Sequence, residues 1–217
     1  MSARPDRLLV VLGTATEVGK TWVGCRLLEA RRAAGDRVAA RKPAQSWDPA
    51  ERAAGARTDA ELLAAATGED PSAVCPAHRD HGVALAPPMA AARLGLPPIH
   101  LRDLVAELTW PAGVDLGLVE AAGGVRSPLA EDGDGRDLVR ALAPDVVVLV
   151  ADAGLGTIHA VRSSLEGLGA PRVIVHLNRY AAADPLHREN AAWLAERDGQ
   201  VVTTTIGGLA AAVAGGT

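Results

Sequence analysis

Leu8-Leu9-Val10-Val11-Leu12-Gly13-Thr14-Ala15-Thr16-Glu17-Val18-Gly19-Lys20-Thr21 decides how the rest of the chain is read. A five-residue apolar run enters a turn with glycine at both ends, and a helix-like run, Trp22 to Ala34, leaves it. Strand, glycine-bounded turn and helix in that order build a phosphate cradle. Backbone N–H groups converge on one point, and the helix adds the positive end of its dipole. Lys20 is placed to reach the outer phosphates of a nucleoside triphosphate, and the Thr21 hydroxyl to hold magnesium. Five residues separate Gly13 from Gly19, one more than the usual spacing. An accidental Gly19-Lys20-Thr21 in a plain turn is the competing reading, and the strand–helix context weighs against it.

Outward from this loop, further apolar runs are Leu116–Val119, Val146–Val150 and Val173–Leu177, with a weaker one at Val38–Arg41. They are continuous rather than alternating, as expected of parallel strands buried on both faces. Helix-like segments lie between them at Asp59–Ala66, Leu101–Leu108, Ile158–Leu168 and His187–Arg197. The pattern predicts one α/β domain over residues 1–217, a P-loop NTPase-like fold with a mostly parallel sheet and helices on both faces. Ligands of such sheets sit beyond the carboxyl ends of the strands. Ala44–Ala56 and Glu131–Arg136 read as mobile loops over the site, and the Ala-rich tail from Gly207 carries little signal.

Several residues follow strands. Lys42, in Arg41-Lys42-Pro43-Ala44-Gln45-Ser46, is expected to share the crevice with Lys20 and to neutralise a transferring phosphoryl group; a solvated surface lysine is the alternative. Glu120, before Ala121-Ala122-Gly123-Gly124, is placed as a magnesium ligand. Asp152 opens a glycine turn whose helix could receive an anion, or serves that turn structurally. Asn178 suits either a purine edge or a turn. Asp59, in Thr58-Asp59-Ala60-Glu61, reads first as part of a capping box.

Composition excludes other classes. The 217 residues carry a net charge of −4 and only 2% aromatics, with no Phe, which offers nucleic acid neither a basic field nor stacking surfaces. Cys25 and Cys75 do not form a disulfide framework and fit a reducing cytoplasm. The apolar run after the charged start is too short for a signal peptide, and none approaches the roughly 20 residues of a membrane span. Cys75, His78 and His81 recur every third residue, but no fourth zinc ligand is in view.

Gly13-Thr14, Thr16-Glu17-Val18-Gly19-Lys20-Thr21, Lys42-Pro43, Thr58-Asp59, Val119-Glu120, Ala122-Gly123-Gly124, Gly154-Leu155-Gly156-Thr157-Ile158 and Leu177-Asn178 together resemble the dethiobiotin synthetase family. The match runs from about Leu8 to Asn178 in the family's order, and the long phosphate loop is itself a family trait. Pro87-Pro88-Met89-Ala90-Ala91 resembles the family's proline-containing segment.

The resemblance implies a homodimer that uses ATP, magnesium and carbon dioxide to close diaminopelargonate into the ureido ring of dethiobiotin. By position, Lys20 and Lys42 would be catalytic, and Thr21, Asp59 and Glu120 would hold magnesium. Glu17, Val18, Gly19, Lys20, Thr21, Trp22, Asp59, Glu120, Ala121, Ala122, Gly123, Asn178 and Arg179 would bind ATP, and Thr16, Ser46 and His159 substrate. Four departures stand out. Ala15 replaces Asp. Ala121 replaces Gly, at a cost on the order of 1 kcal/mol if the turn needs a positive φ there. His159-Ala160 replaces Asn-His, and the family's adenine-seating Ile-Pro appears only as Thr205-Ile206-Gly207. A synthetase-like ATPase with another substrate and a partition-type ATPase switch remain alternatives; the second uses an extra lysine where Ala15 stands.

Overall fold

Every apolar run becomes a strand. A computed structural model describes residues 4–170 and 172–215. In chain order it contains β1 (Arg7–Gly13), α1 (Lys20–Ala33), β2 (Val38–Arg41), β3 (Gln45–Ser46), α2 (Pro49–Ala53), α3 (Asp59–Thr67), α4 (Pro71–Val74), β4 (Asp80–His81), α5 (Pro87–Arg93) and α6 (Leu101–Ala106). β5 (Leu116–Glu120), α7 (Gly135–Leu142), β6 (Val146–Asp152), α8 (Thr157–Leu165), β7 (Val173–Asn178), α9 (Pro185–Ala192), β8 (Val201–Thr203) and α10 (Ile206–Ala214) follow. Among the described residues, six strands form one parallel sheet in the order β2-β5-β1-β6-β7-β8. β3 and β4 pair separately, also in parallel.

The runs are continuously apolar because alternate residues serve opposite faces. Leu8, Val10 and Leu12 pack with Leu104, Leu138 and Val161, from α6, α7 and α8. Leu9 and Val11 pack with Val23, Leu27 and Leu28 of α1, Leu63 of α3, and Leu209 and Val213 of α10. Helices therefore cover both faces, as the sequence predicts.

The topology gathers the site. From β1 the chain crosses to the edge strand β2, returns to β5 beside β1, and continues on the other side through β6. The carboxyl ends of β1, β2 and β5 thus lie side by side. They deliver the phosphate loop, Lys42 and Glu120 to one rim of the sheet.

Four sequence expectations need correction. Glu131–Arg136 is not a loop over the site: Asp134 caps α7 in a capping box with Asp137, and Ala130 bridges to Gly133. Ala44–Ala56 does reach the site but is built, containing β3 and the Asp48-capped α2. The tail from Gly207 is α10, whose Thr205 caps it and whose Leu209 and Val213 lock it against the sheet and α1. Ala-rich helices have little amphipathic signal, so tertiary packing decides them. The segment read as one helix over His187–Arg197 starts at Pro185 and loosens into a π-helical turn at Trp193–Arg197. β8 has no apolar run to announce it.

Leu209 is fully buried between α10 and its neighbours. Leu209→Ala is expected to lower unfolding free energy by about 2–5 kcal/mol. Urea unfolding that shifts no more than an exposed-site control would show that α10 does not hold the sheet.

Candidate functional site: a phosphate loop facing a buried lysine–carboxylate cluster

The phosphate loop is held open by its own backbone. Gly19 lies at φ 94°, where L side chains are strained, and a Cβ there would stand 2.2 Å from Asn178 Nδ2. Asn178 Nδ2 donates to the Val18 carbonyl at 2.9 Å, so β7 clamps the loop from below. Arg179, itself at φ 55°, donates to the Glu17 carbonyl at 2.8 Å and to Asp152 at 3.1 Å. Asp152 also accepts from Gly154 N–H at 2.8 Å, which gives it a structural duty in that turn. α1 begins at Lys20 with no side-chain cap and no acidic residue in its first turn. Its positive N-terminal end is left for an anion. Lys20 Nζ donates to the Ala15 carbonyl at 3.2 Å, so the side chain lost at Ala15 leaves this contact intact.

Opposite the loop, three elements bring oxygen atoms and one ammonium together. Thr21 Oγ1 lies 2.8 Å from both Asp59 Oδ1 and Glu120 Oε1. Lys42 Nζ lies 2.5 Å from Glu120 Oε1 and 2.7 Å from Asp59 Oδ2. Lys42 is 2% exposed and Glu120 0%, which removes the surface-lysine reading. Lys42 N–H donates to the Val74 carbonyl at 2.8 Å, fixing the base of the side chain.

Asp59 belongs to the capping-box turn and also faces the cluster. Thr58 and Glu61 close the capping box of α3, while Asp59, the first residue of that helix, turns its carboxylate to Thr21 and Lys42.

The charges shift accordingly. Burial disfavours the Lys42 ammonium, but Asp59 and Glu120 together hold its pKa above the ordinary lysine range. Burial pushes Glu120 up, against the pull of Lys42 and with a push from Asp59. Asp59 stays below the usual carboxylate range: its partial burial acts upward, and Lys42, Thr21 and Lys20 outweigh it. Burial, and then Lys42, lower Lys20, which places the two ammonium groups within electrostatic reach of each other.

A cavity of about 970 Å³ joins these groups. Of the residues singled out in the sequence, Thr16, Glu17, Gly19, Lys20, Thr21, Lys42, Ser46, Asp59, Glu120, Ala122, Gly123 and Arg179 line it. An adjoining cleft of about 510 Å³ shares Gly19 and Arg179 and is walled by Trp22, Asn178, Tyr180, Thr205 and Ile206.

Three of the expected site residues line neither space: Ala121, His159 and Val18. Ala121 is 2% exposed, packs in the core, and is not among the positive-φ residues of the described chain; the left-handed turn residue is Gly123 at φ 68°. Ala121 therefore lines neither space, and its replacement of Gly costs no backbone strain. His159 is exposed on α8 and lines neither space. Val18 meets the site only through its backbone.

The sequence reading missed Gln45, Trp47, Arg57 and Ser127, all of which line the cavity. Gln45 lay within the quoted segment after β2, and the strand-end rule that selected Lys42 reaches it too. Arg57 and Ser127 carry no such signal. Among the described residues no group of three His, Cys, Asp or Glu side chains could hold a metal, so Cys75, His78 and His81 form no zinc site.

Two carboxylates and a hydroxyl are nonetheless a fitting set for magnesium, which takes hard oxygen ligands and draws the remainder from phosphate and water. Glu120 Oε2 is buried without a hydrogen-bond partner, as expected of an oxygen kept for a cation.

This fold and this site define a P-loop nucleotide-binding protein. The AAA domain family matches residues 7–187. The chain is 40% identical over 166 residues to the ATP-dependent dethiobiotin synthetase BioD of Caulobacter vibrioides, covering 75% of this chain and 74% of that protein. It is 38% identical over 201 residues to the BioD protein of Anaeromyxobacter dehalogenans, covering 88% and 87%. The chain belongs to the ATP-dependent dethiobiotin synthetase family and is, as such, an ATP-dependent enzyme of the ligase class. Solved structures with a similar fold include the signal recognition particle receptor FtsY of Elizabethkingia anophelis, with TM-score 0.54 at 12% identity over 95% of this chain and 62% of that one. The chloroplast FtsY of Physcomitrella patens gives 0.53 at 18% identity, over 99% of this chain and 67% of that one. At these identities the likeness concerns the fold alone.

Two outcomes follow from the electrostatics. Lys42→Met strands Glu120 without its counter-charge, and unfolding free energy is expected to fall by about 3–5 kcal/mol; a variant as stable as the parent in urea would remove Lys42 from the balance of the cluster. His176, at the cleft wall, has its pKa pushed down to about 4 by burial. The unfolded chain takes up this proton near pH 6.5, before the folded one does. Stability is therefore complete above pH 6.5 and declines toward pH 4 by on the order of 3 kcal/mol. His176→Gln should flatten that decline in a pH series of denaturation curves.

Proposed function

We propose that this chain catalyses ATP-dependent conversion of 7,8-diaminopelargonate and carbon dioxide to dethiobiotin, in the cytoplasm and as a homodimer. The observation that carries the reading is Lys42, buried between Asp59 and Glu120 and facing the phosphate loop across one cavity. An ordinary nucleotide switch has no need of a second buried ammonium at that point. A reaction that spreads negative charge over both a phosphoryl group and a carbamate does.

One amine of the substrate adds to carbon dioxide and loses a proton, giving a carbamate. A carbamate oxygen attacks the γ-phosphorus in line as the bond to ADP breaks. The second amine then attacks the carbamoyl carbon, phosphate leaves, and a proton is lost as the ring closes. The chain's task is to position the reactants and to offset charge. Backbone N–H groups of the loop and Lys20 hold the phosphates. Lys42 faces the carbamate and the transferring phosphoryl group. Thr16 and Ser46 contact the substrate. Thr21, Asp59 and Glu120 would hold magnesium, which supplies positive charge to the outer phosphates. Trp22, Asn178 and Ile206 wall the cleft suited to the base.

The dimer reading draws support from the turn before α8. Leu155 is 93% exposed, and the helix starts at Gly156 (φ 89°) with no side-chain cap. Thr157 Oγ1 is buried without a partner there. A second copy covering Leu155 would bring this helix start, and His159, to the carboxylate of a substrate bound in its neighbour.

ATP turnover is expected only when diaminopelargonate and bicarbonate are both present, with dethiobiotin detected by mass spectrometry. Turnover that ignores both substrates would overturn the reading. Lys42→Ala should abolish product while the folded variant still binds an ATP analogue; retained product formation would remove Lys42 from the chemistry.

A further inference from the structure

Gln45 lines the same cavity as Lys42 and Asp59, and its two amide atoms have unequal fates. The side chain is 2% exposed. Its Oε1 accepts from Ala60 N–H at 2.9 Å, in the first turn of α3, one residue after Asp59. That bond determines the orientation of the amide, because a flipped group would set N–H against N–H. Nε2 then finds no partner, although it is buried and its residue lines the cavity. A buried amide donor left unpaired costs about 1–3 kcal/mol, and such a group in a cleft calls for an explanation.

Resting on the synthetase reading above, we propose that Gln45 is both a positioning residue and a substrate contact. Oε1 pins the start of α3, and with it Asp59. Nε2 donates a hydrogen bond to an oxygen of the substrate carbamate. The chemistry selects this acceptor over the other candidates. Phosphate oxygens have the loop N–H groups and the start of α1. A substrate amine must keep its lone pair free to attack, and a donor aimed at it would block the reaction. A carbamate offers two anionic oxygens, one of which attacks phosphorus while the other needs a fixed donor to orient the plane. Ser46 Oγ, the next residue along β3, is likewise buried and unpartnered on the same wall. Together they make a short polar ledge that the protein itself does not satisfy.

Gln45→Glu keeps an acceptor for Ala60 N–H, loses the donor and adds a negative charge beside the carbamate. Gln45→Met loses both contacts at similar length. With dethiobiotin formation followed at varied diaminopelargonate and bicarbonate, both variants should lose about tenfold to about 100-fold in kcat/KM for the diamine, the worth of a hydrogen bond to a charged group. The affinity for a non-hydrolysable ATP analogue should stay within about twofold in Gln45→Glu. Both variants should melt somewhat lower, so the split between kcat/KM and nucleotide affinity, rather than stability, carries the test. A folded variant with kcat/KM near that of the parent overturns the proposal, as does a loss shared equally by nucleotide affinity, which a structural role alone would produce. Parent enzyme that makes no dethiobiotin overturns the synthetase reading and this inference with it; active parent with unaffected variants overturns the inference alone.

Discussion

A lysine ammonium with almost no access to water stays charged only if opposite charge is built around it. Lys42 meets that condition with Asp59 on one side and Glu120 on the other. The constraint runs through the whole molecule. Glu120 must end the strand beside β1, Lys42 must follow the edge strand β2, and α3 must begin at Asp59. The strand order of the sheet satisfies all three at one rim. The same order places Thr21, the second residue of α1, where its hydroxyl lies against both carboxylates.

The cluster and the phosphate loop hold opposite signs in balance. The loop gathers partial positive charge from peptide N–H groups and the start of α1. Lys20 and Lys42 add two ammoniums, which Asp59 and Glu120 offset until a phosphorylated ligand arrives. Without those carboxylates the two lysines would repel each other in a poorly solvated cavity; burial, and then Lys42, already lower Lys20, while Glu120 and Asp59 act the other way. The cost of keeping this arrangement shows in the atoms left unmatched, among them Glu120 Oε2, Gln45 Nε2 and Ser46 Oγ. Native interiors keep few such atoms, and these three line one cavity.

Departures from the family pattern lose weight once placed in space. At Ala15 only the carbonyl is used. Ala121 turns into the core with ordinary backbone angles, and the left-handed turn that glycine serves is at Gly123. His159 is the departure that stays exposed, on the helix start that a second copy would cover.

Much of this was legible in the residues alone. Continuous Val- and Leu-rich runs give parallel strands because a strand covered on both faces needs no polar side. A glycine-bounded turn between strand and helix gives a phosphate cradle because only that backbone path points successive N–H groups inward. Lys20 came from the phosphate-loop motif, and Lys42 and Glu120 from a single rule, that ligands meet the carboxyl ends of strands. Other features depended on contacts between distant segments. The contacts of Asp59 with Thr21 and Lys42 were hidden behind its capping box, and the pairing of Lys42 with both carboxylates rests on strand order, which no local pattern encodes. α10 and the small β3–β4 pair owe their existence to neighbours rather than to propensity. Gln45 could be seen in the sequence, but only the approach of α3 to β3 engages one of its amide atoms and leaves the other free. Local chemistry thus named the parts, and long-range packing chose which of them meet.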